Sequence, residues 1–199
     1  MKLKKWELAL IMALGVSILA GAGLMREQRQ LSDRLIRLHV VANSDSGEDQ
    51  ALKLTVRDNV QAYLKPLLDG VTDRSQAVLI IEQNLDAILT AARKAVTAHG
   101  DDHELRASVG FDRFPTREYE TFTLPAGRYK ALRVEIGAGG GRNWWCVVFP
   151  PLCADFAVPA SDASGALSGD EIALITQTGT GHVVRFRTLE WIERVRNMF

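Results

Sequence analysis

The sequence has no excess of either charge: 24 Lys and Arg stand against 24 Asp and Glu. A nucleic-acid binder needs a surplus of basic side chains to displace counterions from phosphates, so that class is excluded. Metal-ligating residues are also scarce. Four His and two Cys are scattered along 199 residues and match no zinc spacing; no metal and no other cofactor is expected. No internal repeat is present. The glycine run Gly137-Ala138-Gly139-Gly140-Gly141 lacks the Lys-Ser/Thr ending of a phosphate loop and opens no helix, so a flexible turn is expected there. Long apolar runs are missing too, with one exception at the N-terminus.

That exception follows Lys2, Lys4 and Lys5 and runs uncharged from Leu8 to Met25. A cationic segment before an apolar stretch is the pattern of a secretory signal or membrane anchor. Its length lies at the border of the two, since a bilayer core needs roughly 20 helical residues. Ala20-Gly21-Ala22 offers a small-residue cleavage site. The lysines stay on the cytoplasmic side, which sends everything after Arg26 outward. The expected organisation is a signal or anchor over 1–25, a polar linker over 26–34 and one domain over 35–199. Membrane contact is expected through the N-terminal segment if it is not cleaved.

The domain reads as α+β, with two main helices packed on a mostly antiparallel sheet and a short C-terminal helix. Leu35–Ala42 is apolar and β-branched, as in a strand, and Asn43-Ser44-Asp45-Ser46-Gly47 is rich in turn and cap residues. Ser46 and Asp49 stand at capping-box spacing, so a helix starts there, with Leu52, Val56, Val60, Tyr63 and Leu67 as its buried stripe. Pro66 is expected to end or kink it. A second helix opens at Asp73, buries Ala77, Ile81, Leu85, Ile88, Ala92 and Ala95, and stops at Gly100. Alternation then takes over, with Leu105, Ala107, Val109 and Phe111 on one side. Tyr119–Leu124 and Arg128–Ile136 look like a hairpin closed by Pro125-Ala126-Gly127. Trp144–Phe149 is the most apolar stretch. Residues 154–170 read as a surface loop, His182–Arg187 as a strand and Thr188–Asn197 as a helix.

Cys146 and Cys153 suit a disulfide in an exported chain, and closing that short loop would add roughly 2.5 kcal/mol in the chain-entropy model. Two buried thiols are the other reading. As a nucleophile Cys146 would need a base such as His39 within hydrogen-bond reach, yet an apolar strand raises a thiol pKa, and no catalytic set is assigned. Asp101-Asp102-His103 reads as a solvated loop, not a metal site. Two blocks ask for more. His39, Asn43, Ser44 and Asp45 crowd a strand-to-helix junction, either as caps or as one wall of a recognition surface. In Asn143-Trp144-Trp145 successive side chains point to opposite faces, so one Trp can be core and the other a binding anchor.

The blocks Arg37–Ser46, Asp49–Leu54 and Val56-Arg57-Asp58, Leu124–Gly127 and Asn143–Cys153 resemble stage II sporulation protein R of endospore-forming Firmicutes. The resemblance runs from about Leu31 to Cys153, with the terminal helix. It implies a protein made in the forespore and exported across its inner membrane into the intermembrane space. There it activates a membrane-embedded aspartic protease of the mother cell, stage II sporulation protein GA, which cleaves the pro-form of sigma-E. A non-enzymatic protein ligand is thus expected, with His39, Asn43, Ser44, Asp45, Asn143, Trp144 and Trp145 as its partner-binding residues. The competing expectation is an exported cell-wall hydrolase that uses Cys146 or a carboxylate.

Overall fold

The computed structural model describes residues 10–16, 29–119 and 122–151. Cys153, the 154–170 loop and the expected C-terminal strand and helix lie outside them, as does most of the Leu8–Met25 run. No helix among the described residues is long and apolar enough to cross a membrane.

The order of elements is β1 (Ile36–Val41), α1 (Gly47–Leu68), α2 (Arg74–Gln83), α3 (Leu85–Ala98), β2 (Leu105–Phe114), β3 (Arg117–Glu118), β4 (Thr123–Leu124), β5 (Gly127–Ile136) and β6 (Asn143–Phe149). Four strands form one sheet in the order β2-β5-β1-β6. β1 runs parallel to β5, whereas β6 on β1 and β2 on β5 are antiparallel. The fold is therefore α+β with a mostly antiparallel sheet. All six residues of β1 are buried, as befits a strand flanked on both edges and covered on both faces.

The helices cover one face. Ile36, Leu38 and Val40 of β1 and Leu132, Val134 and Ile136 of β5 pack there against Leu52, Val56, Val60, Leu64 and Leu68 of α1 and Ile88, Ala92 and Ala95 of α3. The stripe of α1 leaves through Leu64 and Leu68 and not through Tyr63 and Leu67, which are only partly buried. Leu105, Ala107 and Val109 face this core as expected, but Phe111 is exposed and lies beneath Arg128 and Lys130.

Ser46 caps α1 by accepting from the Asp49 amide at 3.1 Å, and Asp73 caps α2 by accepting from Gln76 at 2.8 Å. Pro66 does not end α1, which continues to Leu68; only Leu67 and Leu68 remain beyond it. The second expected helix is two. Asn84 breaks it because its side chain competes with the helical ladder, donating to the Ile80 carbonyl at 2.8 Å and accepting from Tyr63 Oη at 3.2 Å. Gly100 adopts φ +78° at the end of α3.

The other face of the sheet holds a smaller core of Leu31, Leu35, Phe114, Phe122, Leu124, Tyr129, Ala131 and Val147. The pair β3–β4 lies over it. The expected hairpin of Tyr119–Leu124 with Arg128–Ile136 is not formed. β4 pairs with β3, and β5 goes to the middle of the sheet, where both of its faces are covered. Tyr129 holds the turn between them by donating to the Pro125 carbonyl at 2.7 Å.

Candidate functional site

The parallel pair β1 and β5 brings its two carboxyl ends, Val41 and Ile136, to the same edge of the sheet. In mixed α/β sheets that edge is where loops gather and ligands bind. Here the β1–α1 loop, the α3–β2 loop and the glycine loop meet. Asn43 Oδ1 accepts from the Ala138 amide at 2.9 Å, and Asp45 Oδ1 accepts from the Arg142 amide at 2.7 Å. The Gly140 amide donates to the Asn43 carbonyl at 3.0 Å and the Gly141 amide to the Ala42 carbonyl at 2.9 Å. The glycine run is thus not a flexible turn but a docked one. A Cβ on Gly141 would strike the Ser44 carbonyl, and one on Gly137, whose φ is +57°, would strike the side chains of Asn43 and His103.

Asp49, in the first turn of α1, is buried beneath this loop. It accepts from Ser44 Oγ at 2.5 Å and Asn43 Nδ2 at 3.0 Å. The Ser44 hydrogen bond outweighs the effect of burial and, with Asn43 and Ser46, holds the carboxyl below its ordinary range. Lys53 is buried one turn on and donates to Gln50 Oε1 at 2.6 Å and to the Arg142 carbonyl at 3.1 Å; burial lowers its pKa. Asp101 receives the amides of Asp102 and His103 and the His103 imidazole. Burial raises its carboxyl, and these hydrogen bonds outweigh that and lower it. Asp49, Asp101 and His103 bring three ligand-type atoms within 4.8 Å of one another. The hydrogen bonds from the chain fall on one oxygen of each carboxylate, Asp49 Oδ2 and Asp101 Oδ1, and the trio draws the start of α1 and the α3–β2 loop together.

A second polar group lies on the face covered by the β3–β4 pair. His39 is 5% exposed. Its Nδ1 is 2.5 Å from Asp112 Oδ2 and its Nε2 is 2.8 Å from Asn143 Oδ1. The imidazole stacks on Trp145 with centroids 5.8 Å apart and tilts against Phe114 at 5.7 Å. Arg133 Nη1 donates to Asp112 at 3.1 Å, and its other nitrogens donate to Glu135 at 2.7 and 2.9 Å. Burial would raise the Asp112 carboxyl, but hydrogen bonds from His39, the Arg113 amide and Arg133 outweigh it and hold it low.

The structure therefore divides the seven sequence-selected residues. His39 touches both Asn143 and Trp145 on one face. Asn43, Ser44 and Asp45 sit together at the strand ends, beside Asn143, which pairs with Val41. Trp144 stands apart on the helix side, half-buried, with the Arg57 guanidinium 4.5 Å over its ring. Neither tryptophan is exposed; both are half-buried, on opposite faces. Asp45 and Asn143 are the exposed members. Sequence reading missed Asp49, Asp112 and Arg133. Asp49 carried a signal as the third residue of α1, but Asp112 and Arg133 depend on strand pairing that no local pattern reports.

Cys146 belongs to the helix-side core. It is 3% exposed, and Gln61 donates to its sulfur at 3.1 Å; Cys153, with which a bridge is expected, lies outside the described residues. His39 faces away from it, because its cross-strand partner is Trp145 and that of Leu38 is Cys146. His39 and Cys146 therefore do not form a nucleophile–base pair.

Comparison with known proteins adds a lineage to this geometry. A family model described as stage II sporulation protein R matches residues 32–158. Stage II sporulation protein R of Bacillus subtilis (strain 168) is 39% identical over 125 residues, which cover 62% of this chain and 55% of that protein. The chain thus spans little more than half the length of the curated relative it matches. No solved structure matches it.

Proposed function

Because the chain belongs to the stage II sporulation protein R family, we propose that it is an exported forespore signal that activates a membrane-embedded aspartic protease of the mother cell. In this reading the protease is stage II sporulation protein GA and its substrate the pro-form of sigma-E. The family match carries the reading, since its range takes in the strands β1–β6, the helices α1–α3 and the seven candidate contact residues. The lysine-led apolar N-terminus supports export into the intermembrane space. The covered Cys146 and its separation from His39 support a ligand over a hydrolase that uses this cysteine.

The mechanism is differential binding. A ligand shifts a two-state protease only by the difference between its affinities for the active and resting states. The docked loops at the strand ends present Asp45 and Asn143 on a backbone already ordered by the hydrogen bonds described above. That pre-ordering reduces the entropy lost on contact.

The test mixes the purified chain with the protease and pro-sigma-E in lipid vesicles. Faster cleavage of the pro-form is the expected result, weakened by Asp45→Ala with Asn143→Ala. No gain over protease alone would refute the reading. Cys146→Ser adds a second arm. A structural cysteine loses stability that cooling restores, whereas a nucleophile loses all activity at every temperature.

A further inference from the structure

Arg37 lies in the middle of β1 with none of its surface exposed. Burying a guanidinium is costly unless hydrogen bonds and a counter-charge replace water. Here the replacement is partial. Nη2 donates to Tyr119 Oη at 2.7 Å, and the guanidinium stands 4.1 Å from the Phe114 ring centroid and 5.1 Å from that of Tyr129, where ring faces offset some of the charge. Nε and Nη1 are buried with no acceptor. Among the described residues no carboxylate pairs with Arg37; their ion pairs are formed elsewhere.

The neighbours repeat the imbalance. Trp145 Nε1 is likewise buried without an acceptor. Arg117 places a second guanidinium 4.1 Å over the Trp145 ring. The Tyr119 hydroxyl has its proton committed to the Trp145 carbonyl at 3.2 Å. Burial lowers the Arg37 pKa, the two tyrosines oppose that, and Arg117 adds to the lowering. On the face covered by the β3–β4 pair, Arg37 is buried with two unused N–H donor atoms and Trp145 with one, exposed Arg117 of β3 adds a second cation over the Trp145 ring, and the carboxylate described nearby, Asp112, is already bonded to His39 and Arg133.

From this surplus of donors we propose that the space between β1 and the β3–β4 pair is a carboxylate-binding site, with Arg37 as charge partner and Trp145 Nε1 and Arg117 as supporting donors. A carboxylate suits it because it is planar, singly charged and matched to guanidinium donors. Its walls are the aromatic rings of Phe114, Tyr119, Tyr129 and Trp145. Entry requires the β3–β4 pair to lift. That pair is two residues per strand, joined only as Arg117 with Leu124 and Glu118 with Thr123, and so short a ribbon opens at little cost. The carboxylate belongs either to a peptide segment or to a free small acid. The inference rests on Arg37 and is independent of the protease reading.

The experiment uses the full-length chain in detergent micelles, with the Trp145 indole N–H resonance assigned through Trp145→Phe. Sodium formate is titrated against sodium chloride at equal ionic strength, and a short peptide with a free C-terminal carboxylate against its C-terminal amide. Formate, but not chloride, is expected to shift the Trp145 indole resonance and raise the unfolding midpoint. The acid peptide is expected to bind at least about tenfold more tightly than the amide, the worth of one charged hydrogen bond. Arg37→Met abolishes the response, and Arg117→Gln weakens it roughly threefold, as for a more exposed partner. An acid peptide that binds more tightly than formate assigns a peptide source, and the reverse a small acid. An unmoved Trp145 resonance with both acids, or an unchanged response in Arg37→Met, overturns the proposal. Should Arg37→Met fail to fold, the acid–amide comparison on the unmodified chain decides alone.

Discussion

Replacing Gly141 with Ala tests whether the docked glycine loop is a structural requirement of the strand-end site. A Cβ at this position would collide with the Ser44 carbonyl and press on the Ala42 side chain. The obstacle is backbone, so the loop itself must withdraw. Withdrawal strains the amide of Gly141 on Ala42 at 2.9 Å and of Gly140 on Asn43 at 3.0 Å, and the Arg142 amide on Asp45 at 2.7 Å. At about 1 kcal/mol for each hydrogen bond, loss of two or three costs about 2–3 kcal/mol. For a chain of this size that lowers the thermal midpoint by roughly 4–12 °C. Gly110→Ala is the control: Gly110 is a β2 residue, and a Cβ there meets nothing within 4 Å. Its effect should stay within about 0.5 kcal/mol. Both proteins are unfolded by urea, with tryptophan fluorescence as the readout. Equal midpoints for the two variants, or a stabilised Gly141→Ala, would refute the claim that the loop is docked.

Three further outcomes follow from the same structure. Asp49 and Asp112 are both held below the ordinary carboxylate range, so the unfolded chain binds more protons than the folded one as pH falls. Their contribution is complete above an unfolded pKa of about 3.9 and is lost as pH drops through the lower folded values; urea midpoints between neutral and acid pH should show this limb, and Asp112→Asn should flatten it. Ser46→Ala removes the α1 cap and should cost about 1 kcal/mol, read by the same urea assay. Leu38→Ala opens the helix-side core beneath a fully buried strand and should cost about 2–5 kcal/mol; a loss under 1 kcal/mol would contradict the packing described.

Some of this architecture is legible in the linear sequence because it is local. Ile36–Val41 announces itself by β-branched residues, α1 by Ser46 and a stripe every three or four positions, and Asn143–Phe149 by apolar content. Asn84 is not legible: nothing in its neighbours distinguishes a polar helix residue from one whose amide bonds back to Ile80 and so ends the helix. The placement of β5 is also hidden, because Gly127–Ile136 suits a hairpin arm as well as a central strand, and the choice is made by β1 and β2 far away in sequence. The site follows the same rule. Asn43, Ser44 and Asp45 stand out as turn residues, whereas the partners of His39 come from β2 and β6 and are joined to it only by cross-strand register.

The pairing of β1 with β5 also has a consequence for how the molecule is made. Ile36 finds Lys130 on one side and Phe149 on the other, so during vectorial synthesis a strand buried along its whole length emerges before all of its sheet neighbours and waits for them. Contacts so distant along the chain slow folding. Until Ile136 is available, Ile36–Val41 is a six-residue adhesive segment with both edges bare. Chains truncated before β5 should therefore aggregate, and a nascent chain would need its helices, or a holding factor, to shield that strand until the last sheet partner arrives.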